Sequence, residues 1–308
     1  MHRHCAELLI AAIAGCSMIA ACQSSPSSMA DQVVSQEQVL SDADRLSAGK
    51  HHTCYIDDDY NIHCWGNDDY GQASAPDGRF IQVAANRFHT CAIDADRQVQ
   101  CWGDNRDGQA NAPEGAFMQI ASATGSSHTC GLTTEGAVVC WGLNDKGQAS
   151  SPAGNFEQIT SGTYHNCGVR DDGSVACWGF DEVVDRAPIP HGEFEQVTAG
   201  NSHTCGITSD GTVQCWGESG GADEDRTTPP DRKFKQVSAG FGHSCAVAGD
   251  DSVACWGWDH HGQAGTKVQQ IRHVAAGSGH NCAITIDGAL RCWGRNDDGE
   301  ALPPMSLR

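Results

Sequence analysis

The chain has 308 residues, 39 acidic against 19 basic, and a formal net charge of −20. A surface that acidic repels phosphate backbones, and the Lys and Arg are scattered through the sequence without a basic run, so nucleic acid is excluded as a partner. Aromatic residues are few at 6%, yet seven of the eight Trp stand at one recurring position, which gives them a structural use first.

In chain order, residues 1–22 read as a signal segment. Arg3 supplies a thin positive end and Leu8 to Ala21 an apolar run of signal-core length, too short to span a bilayer. The run ends Ile19-Ala20-Ala21-Cys22, small residues before a Cys as in a bacterial lipobox, and Ile13-Ala14-Gly15-Cys16 offers a second match. Cys22 is the favoured lipidation site because the polar stretch Gln-Ser-Ser-Pro-Ser-Ser follows it. The reading places the protein in the cell envelope on a lipid anchor, in the outer membrane or at the cell surface; an ordinary cleaved signal would make it secreted. Residues 23–41, rich in Ser, Gln and Ala, read as a flexible tether.

Residues 42–304 repeat one pattern seven times: His-x-Cys, nine residues, then Cys-Trp-Gly. The pairs are Cys54 and Cys64, Cys91 and Cys101, Cys130 and Cys140, Cys167 and Cys177, Cys205 and Cys215, Cys245 and Cys255, and Cys282 and Cys292. A period of 37–40 residues signals a propeller or solenoid array. In the unit 194–217, Phe194 to Gly200 reads as a first strand, His203 to Ile207 as a second, Asp210-Gly211 as a hairpin turn and Thr212 to Gly217 as a third strand. A short fourth segment, clearest at Gly108-Gln109-Ala110, completes a four-stranded blade. Helix-length periodic runs are absent. Residues 305–308 form a C-terminal tail.

The hairpin puts Cys205 opposite Cys215 and Ile207 opposite Val213, close enough for a disulfide after small adjustment. Regular Cys spacing behind an export signal supports that pairing in every unit. Two rivals stand beside it: a reduced intracellular array, and a zinc site on His203, Cys205 and Cys215, which finds no fourth ligand in the repeat. The repeat histidines, His52, His89, His128, His165, His203, His243 and His280, read as buried groups bonding the backbone of the next loop. Each repeat Trp points away from its Cys and fills the wedge to the adjacent blade. Asp57-x-Asp59-x-Asn61 begins like a calcium loop, but Ile62 stands where Gly is required. No nucleophile-elbow, zinc-protease or phosphate-loop motif occurs, so the expectation is a non-enzymatic protein without metal or cofactor.

The pattern Ala-Gly-x-x-His-Thr-Cys-x-Ile followed by Asp-Gly-x-Val-x-Cys-Trp-Gly-x-Asn-x-x-Gly-Gln resembles the regulator of chromosome condensation repeat. The resemblance implies an all-β, seven-bladed propeller; the Cys pair, read from the hairpin as one disulfide per blade, is an addition typical of exported members and absent from the core motif. The compact period and Pro-x-Gly before the next blade (Pro113-Glu114-Gly115, Pro152-Ala153-Gly154) look most like secreted bacterial members, a group that includes a propeller β-lactamase inhibitory protein. The family name also implies guanine-nucleotide exchange on a small GTPase, but the blade insertion used for it has no room here. A propeller hydrolase or lyase is a further alternative, and would show a carboxylate or His cluster in the central channel.

Alternating strand direction sends the Gly-x-x-His loops and the loops after Trp-Gly to one face. Tyr70, Arg87, Phe88, Tyr164, Phe180, Phe241 and Trp258 gather there as candidate protein-binding residues, on a molecule read as monomeric. The other face carries the Asp-rich hairpin turns.

Overall fold

A computed structural model describes residues 40–121, 124–180, 188–221, 225–265 and 268–308. The signal segment, Cys16, Cys22 and residues 23–39 of the tether lie outside the described residues. Among those described, no helix is long and apolar enough to cross a membrane.

Among the described residues, twenty-one strands form seven three-stranded antiparallel sheets, each built from consecutive strands. Blade 1 comprises β1 (Leu46–Ala48), β2 (His52–Ile56) and β3 (Ile62–Gly66). Blade 5 comprises Phe194–Ala199, His203–Thr208 and Val213–Gly217, and blade 7 ends the array with Ile271–Ala276, His280–Thr285 and Leu290–Gly294. Cys205 pairs with Cys215 and Ile207 with Val213, the register read from the sequence. All seven pairs are disulfides, with Cα atoms 4.0–4.1 Å apart.

The fourth segment is not a strand. Gly-Gln-Ala forms a turn, and its Gln is fully buried at positions 72, 109, 148 and 263. The Gln side-chain oxygen accepts from a backbone N–H two residues earlier, as Gln109 does from Asp107 at 2.8 Å. At Gln72, Gln109 and Gln263 the carbonyl points across to the next blade, where it accepts from the Trp indole: Trp102 to Gln72 at 3.0 Å, Trp141 to Gln109 at 2.9 Å and Trp293 to Gln263 at 3.1 Å. A side-chain strap replaces a ladder, because a three-residue turn has no room for one.

Each core lies between blades. The disulfide of blade 5, with Ile207 and Val213, packs on Phe234, Val237 and Trp256 of blade 6. The same set recurs around the array and closes it, where Cys282, Ile284 and Leu290 of blade 7 meet Leu46, Tyr55 and Trp65 of blade 1. The Trp residues therefore do fill the wedges. Phe at the strand start lies over a small residue: a Cβ on Gly206 would sit 2.5 Å from the Phe194 ring. Blade 1 has a helical turn, α1 (Asp42–Arg45), in place of that Phe, and there the small residue is exchanged for Tyr55, itself buried. Leu40 packs at the first wedges, Ser41 caps α1, and the C-terminal tail holds a short 3-10 turn, Met305–Leu307.

A second ring ties the blades together. All seven repeat histidines are buried, and each Nε2 meets the side chain that follows the next blade's histidine, not loop backbone as the sequence suggested. His52 reaches Thr90, His128 reaches Asn166, and His280 returns to Thr53, each at 2.8 Å. Thr90 and Thr53 in turn donate to the carbonyls of Gln72 and Glu300. The accepting hydroxyl has already spent its proton, so Nε2 carries the imidazole's. The loop-backbone expectation failed because a Thr or Asn side chain reaches the ring and the carbonyl at once.

Candidate functional site

The two sets of loops expected on one face are joined there. In each blade, the residue after Trp-Gly donates its N–H to the carbonyl just before the repeat histidine: Asn67 to His51 and Phe180 to Tyr164 at 2.8 Å, Trp258 to Gly242 at 2.9 Å. The candidate residues share this face, and their ring contacts group them in three stations.

At the first station, Phe88 stacks on His51 with ring centroids 5.7 Å apart and lies 5.0 Å from Tyr70. Lys50 and Arg87 stand over the Phe88 ring, at 5.9 and 5.0 Å, and Arg106 over Tyr70 at 5.1 Å. Burial, with Arg87 and Arg295 nearby, lowers the Lys50 ammonium below its ordinary range. Burial and Arg295 likewise lower His51, against an opposing hydrogen bond to Asp298. At the second station, Tyr164 and Phe180 meet edge to face at 6.2 Å, with Lys146 over Phe180. At the third, Phe241, Gly242, Trp258 and Arg226 line a cavity of about 300 Å³, and His260 and His261 abut the Trp258 ring. Tyr70 and Tyr164 are exposed; Arg87, Phe88, Phe180, Phe241 and Trp258 are half-buried.

The cations are not scattered in space. Lys50 and Arg87 occupy matching loops of neighbouring blades, where the Lys50 N–H donates to the Asn86 carbonyl at 3.0 Å, and Arg295 arrives from blade 7. The separation in sequence of 37 residues between Lys50 and Arg87, one repeat, carried this signal. Placing Arg295 beside them required the closure of the ring.

The central cavity, about 140 Å³, is lined by amides and hydroxyls including Gln82, Gln119, Gln158 and Thr198. The Gln residues bridge blades, as when Gln158 accepts from Val197 N–H at 2.9 Å and donates to its carbonyl at 3.0 Å. The titratable group in this lining is His273, which burial lowers to about 4. Among the described residues, no group of three or more His, Cys, Asp or Glu is placed to hold a metal ion.

On the opposite face the Asp side chains build their own turns. Asp57 Oδ1 accepts from the N–H groups of Asp59 and Asn61, both at 2.9 Å, and its second oxygen meets His63. Asp94 does the same for Asp96 and Gln98. The calcium-like spacing is thus an Asx turn.

A family model described as "Regulator of chromosome condensation (RCC1) repeat" matches residues 44–72, 80–109, 119–148, 156–182, 194–220, 234–263 and 271–300. No protein of curated function matches the chain. Among solved structures, the entire ectodomain of the receptor kinase CR4 from Physcomitrella patens is 26% identical, with a TM-score of 0.67, covering 81% of this chain and 72% of that one. The CRINKLY WD40 ectodomain of the receptor kinase ACR4 from Arabidopsis thaliana is 23% identical, with a TM-score of 0.69, covering 86% and 98%. Prp20p from Saccharomyces cerevisiae, described with its binding properties to Gsp1p and histones, is 19% identical, with a TM-score of 0.64 over 83% of each chain.

Proposed function

We propose, from the premise that this chain belongs to the regulator of chromosome condensation (RCC1) repeat family, that it is a non-enzymatic, monomeric binding protein whose loop face recognises another protein. One observation carries the reading. The positions that repeat from blade to blade are spent on wedges, straps and the histidine ring. The aromatic and cationic residues outside the pattern, Tyr70, Arg87, Phe88, Tyr164, Phe180, Phe241 and Trp258, all stand on one face. Half-exposed aromatics beside cations are the side chains that interfaces enrich and that most often dominate binding energy.

The working compartment is oxidising. Seven disulfides in one chain fit no reducing cytosol, and two structures of like fold are receptor ectodomains. Export with a lipid on Cys22 completes the reading. Labelled palmitate should enter the wild-type chain and not Cys22→Ser.

The test of function is crosslinking on living cells followed by mass spectrometry. A triple variant, Tyr164→Ala, Phe241→Ala and Trp258→Ala, should lose at least about ten-fold of the crosslinked partner while keeping its melting temperature. Undiminished recovery both with this variant and with a variant of the Lys50 and Arg87 loops would refute the reading.

A further inference from the structure

We propose that the first station accepts a short acidic segment of a protein partner, with carboxylates on Lys50 and Arg87 and an apolar or aromatic side chain against Tyr70 and Phe88. This rests on the reading that the loop face binds a protein, and it adds the chemistry of what is bound.

Three observations carry it. The first is the pairing of like charges. Lys50 and Arg87 stand in adjacent loops over one ring, with Arg295 close by, in a chain that carries 39 acidic residues. Holding cations together at a part-desolvated site is unfavourable until an anion joins them.

The second is the absence of an internal counter-ion. Several other cations have one: Arg106 forks onto Asp104 at 2.8 and 2.9 Å, Arg295 reaches Asp297, Asp298 and Glu300, and Lys233 meets Asp210. Among the described residues, no carboxylate lies within ion-pair distance of Lys50 or Arg87, and the buried Arg87 Nε has no acceptor.

The third is the floor beneath them. His51, Phe88 and Tyr70 form a continuous aromatic surface, with Tyr70 exposed. A carboxylate on the cations brings its neighbouring side chain over these rings, where apolar contact and the excluded water strengthen the charge pairing. Two uncompensated cations suit a short segment and are too few for an extended polyanion, which the net charge of −20 repels. That argument selects a protein segment over an anionic polysaccharide.

The probe is a set of short fluorescein-labelled peptides, alternating Glu-Phe, Glu-Ser or Lys-Phe, titrated with the full chain by fluorescence anisotropy; heparin is the competitor. Glu-Phe should bind, Glu-Ser more weakly, and Lys-Phe at least about ten-fold more weakly. The double variant Lys50→Glu and Arg87→Glu should lose about ten-fold or more for Glu-Phe, as should Phe88→Ala, while Ile286→Ala, exposed in a hairpin turn of the opposite face, stays within about two-fold. Near-ultraviolet circular dichroism checks the fold, and Lys50→Gln with Arg87→Gln serves if the reversal unfolds the protein. Equal binding of Lys-Phe, no effect of the charge variants, no binding of Glu-Phe at about 1 mM, or tighter binding of heparin would overturn the proposal. If the crosslinked partner is lost by the Tyr164, Phe241 and Trp258 variant but kept by the charge reversal, the loop-face function stands and the acidic segment falls. If both variants keep it, both fall.

Discussion

At the scale of the residue, the ring of imidazoles makes the fold sensitive to acid. Burial holds His52, His89 and His280 at about 3 and His128, His165 and His243 at about 4, with His203 well below its ordinary value. In the unfolded chain each titrates near 6.5. The unfolded state therefore takes up protons first as pH falls. Stability is full above about 6.5 and is lost as pH drops below it, because each buried imidazole stays neutral while its unfolded counterpart takes up a proton. A melting temperature flat above pH 6.5 and falling steeply below it is the expected profile; a flat profile down to pH 4 would contradict it. The glycine three residues before the histidine is equally constrained. A Cβ on Gly200 would lie 2.4 Å from both the Gly240 carbonyl and the His203 ring. Gly200→Ala should cost about 2 kcal/mol or more in urea unfolding, since neither backbone nor buried ring can yield cheaply.

At the scale of the element, the blade shares its strongest contacts with its neighbours. Replacing Cys205 and Cys215 by Ser should cost about 3 kcal/mol for a loop of this length. Because Cys205 packs against Phe234 and Trp256, amide exchange should quicken in blades 5 and 6 and not in blade 3. Phe194→Ala should cost about 3–5 kcal/mol. Gly206→Ala crowds Phe194 when made alone, so the two together should cost less than their sum, as measured in a double-mutant cycle. The hairpin and its register were legible in the sequence because the fixed Cys-to-Cys spacing and the Asp-Gly turn admit one pairing. The strap was misread as a strand because Gly-Gln-Ala is short and apolar in outline. Its structure depends on where a buried Gln side chain bonds, which spacing does not encode. Tyr55 was equally opaque: its size makes sense only beside a missing Phe.

At the scale of the whole molecule, the sequence told which loops share a face but not how their side chains group. Strand alternation places Tyr70, Phe88, Tyr164, Phe180, Phe241 and Trp258 on one side. Their division into stations follows from which blades are neighbours, and Lys50, Arg87 and Arg295 meet only because the array closes. That closure has its own consequence. The junction of blades 7 and 1 reproduces the others, with His280 on Thr53, Trp65 on the Glu300 carbonyl and a shared wedge, yet no peptide runs across it. It is the seam of the barrel hoop. Heating should part the hoop there first, and stitching residue 303 to residue 40 through a flexible linker should raise the melting temperature without adding one new contact, by shrinking the freedom of the opened form.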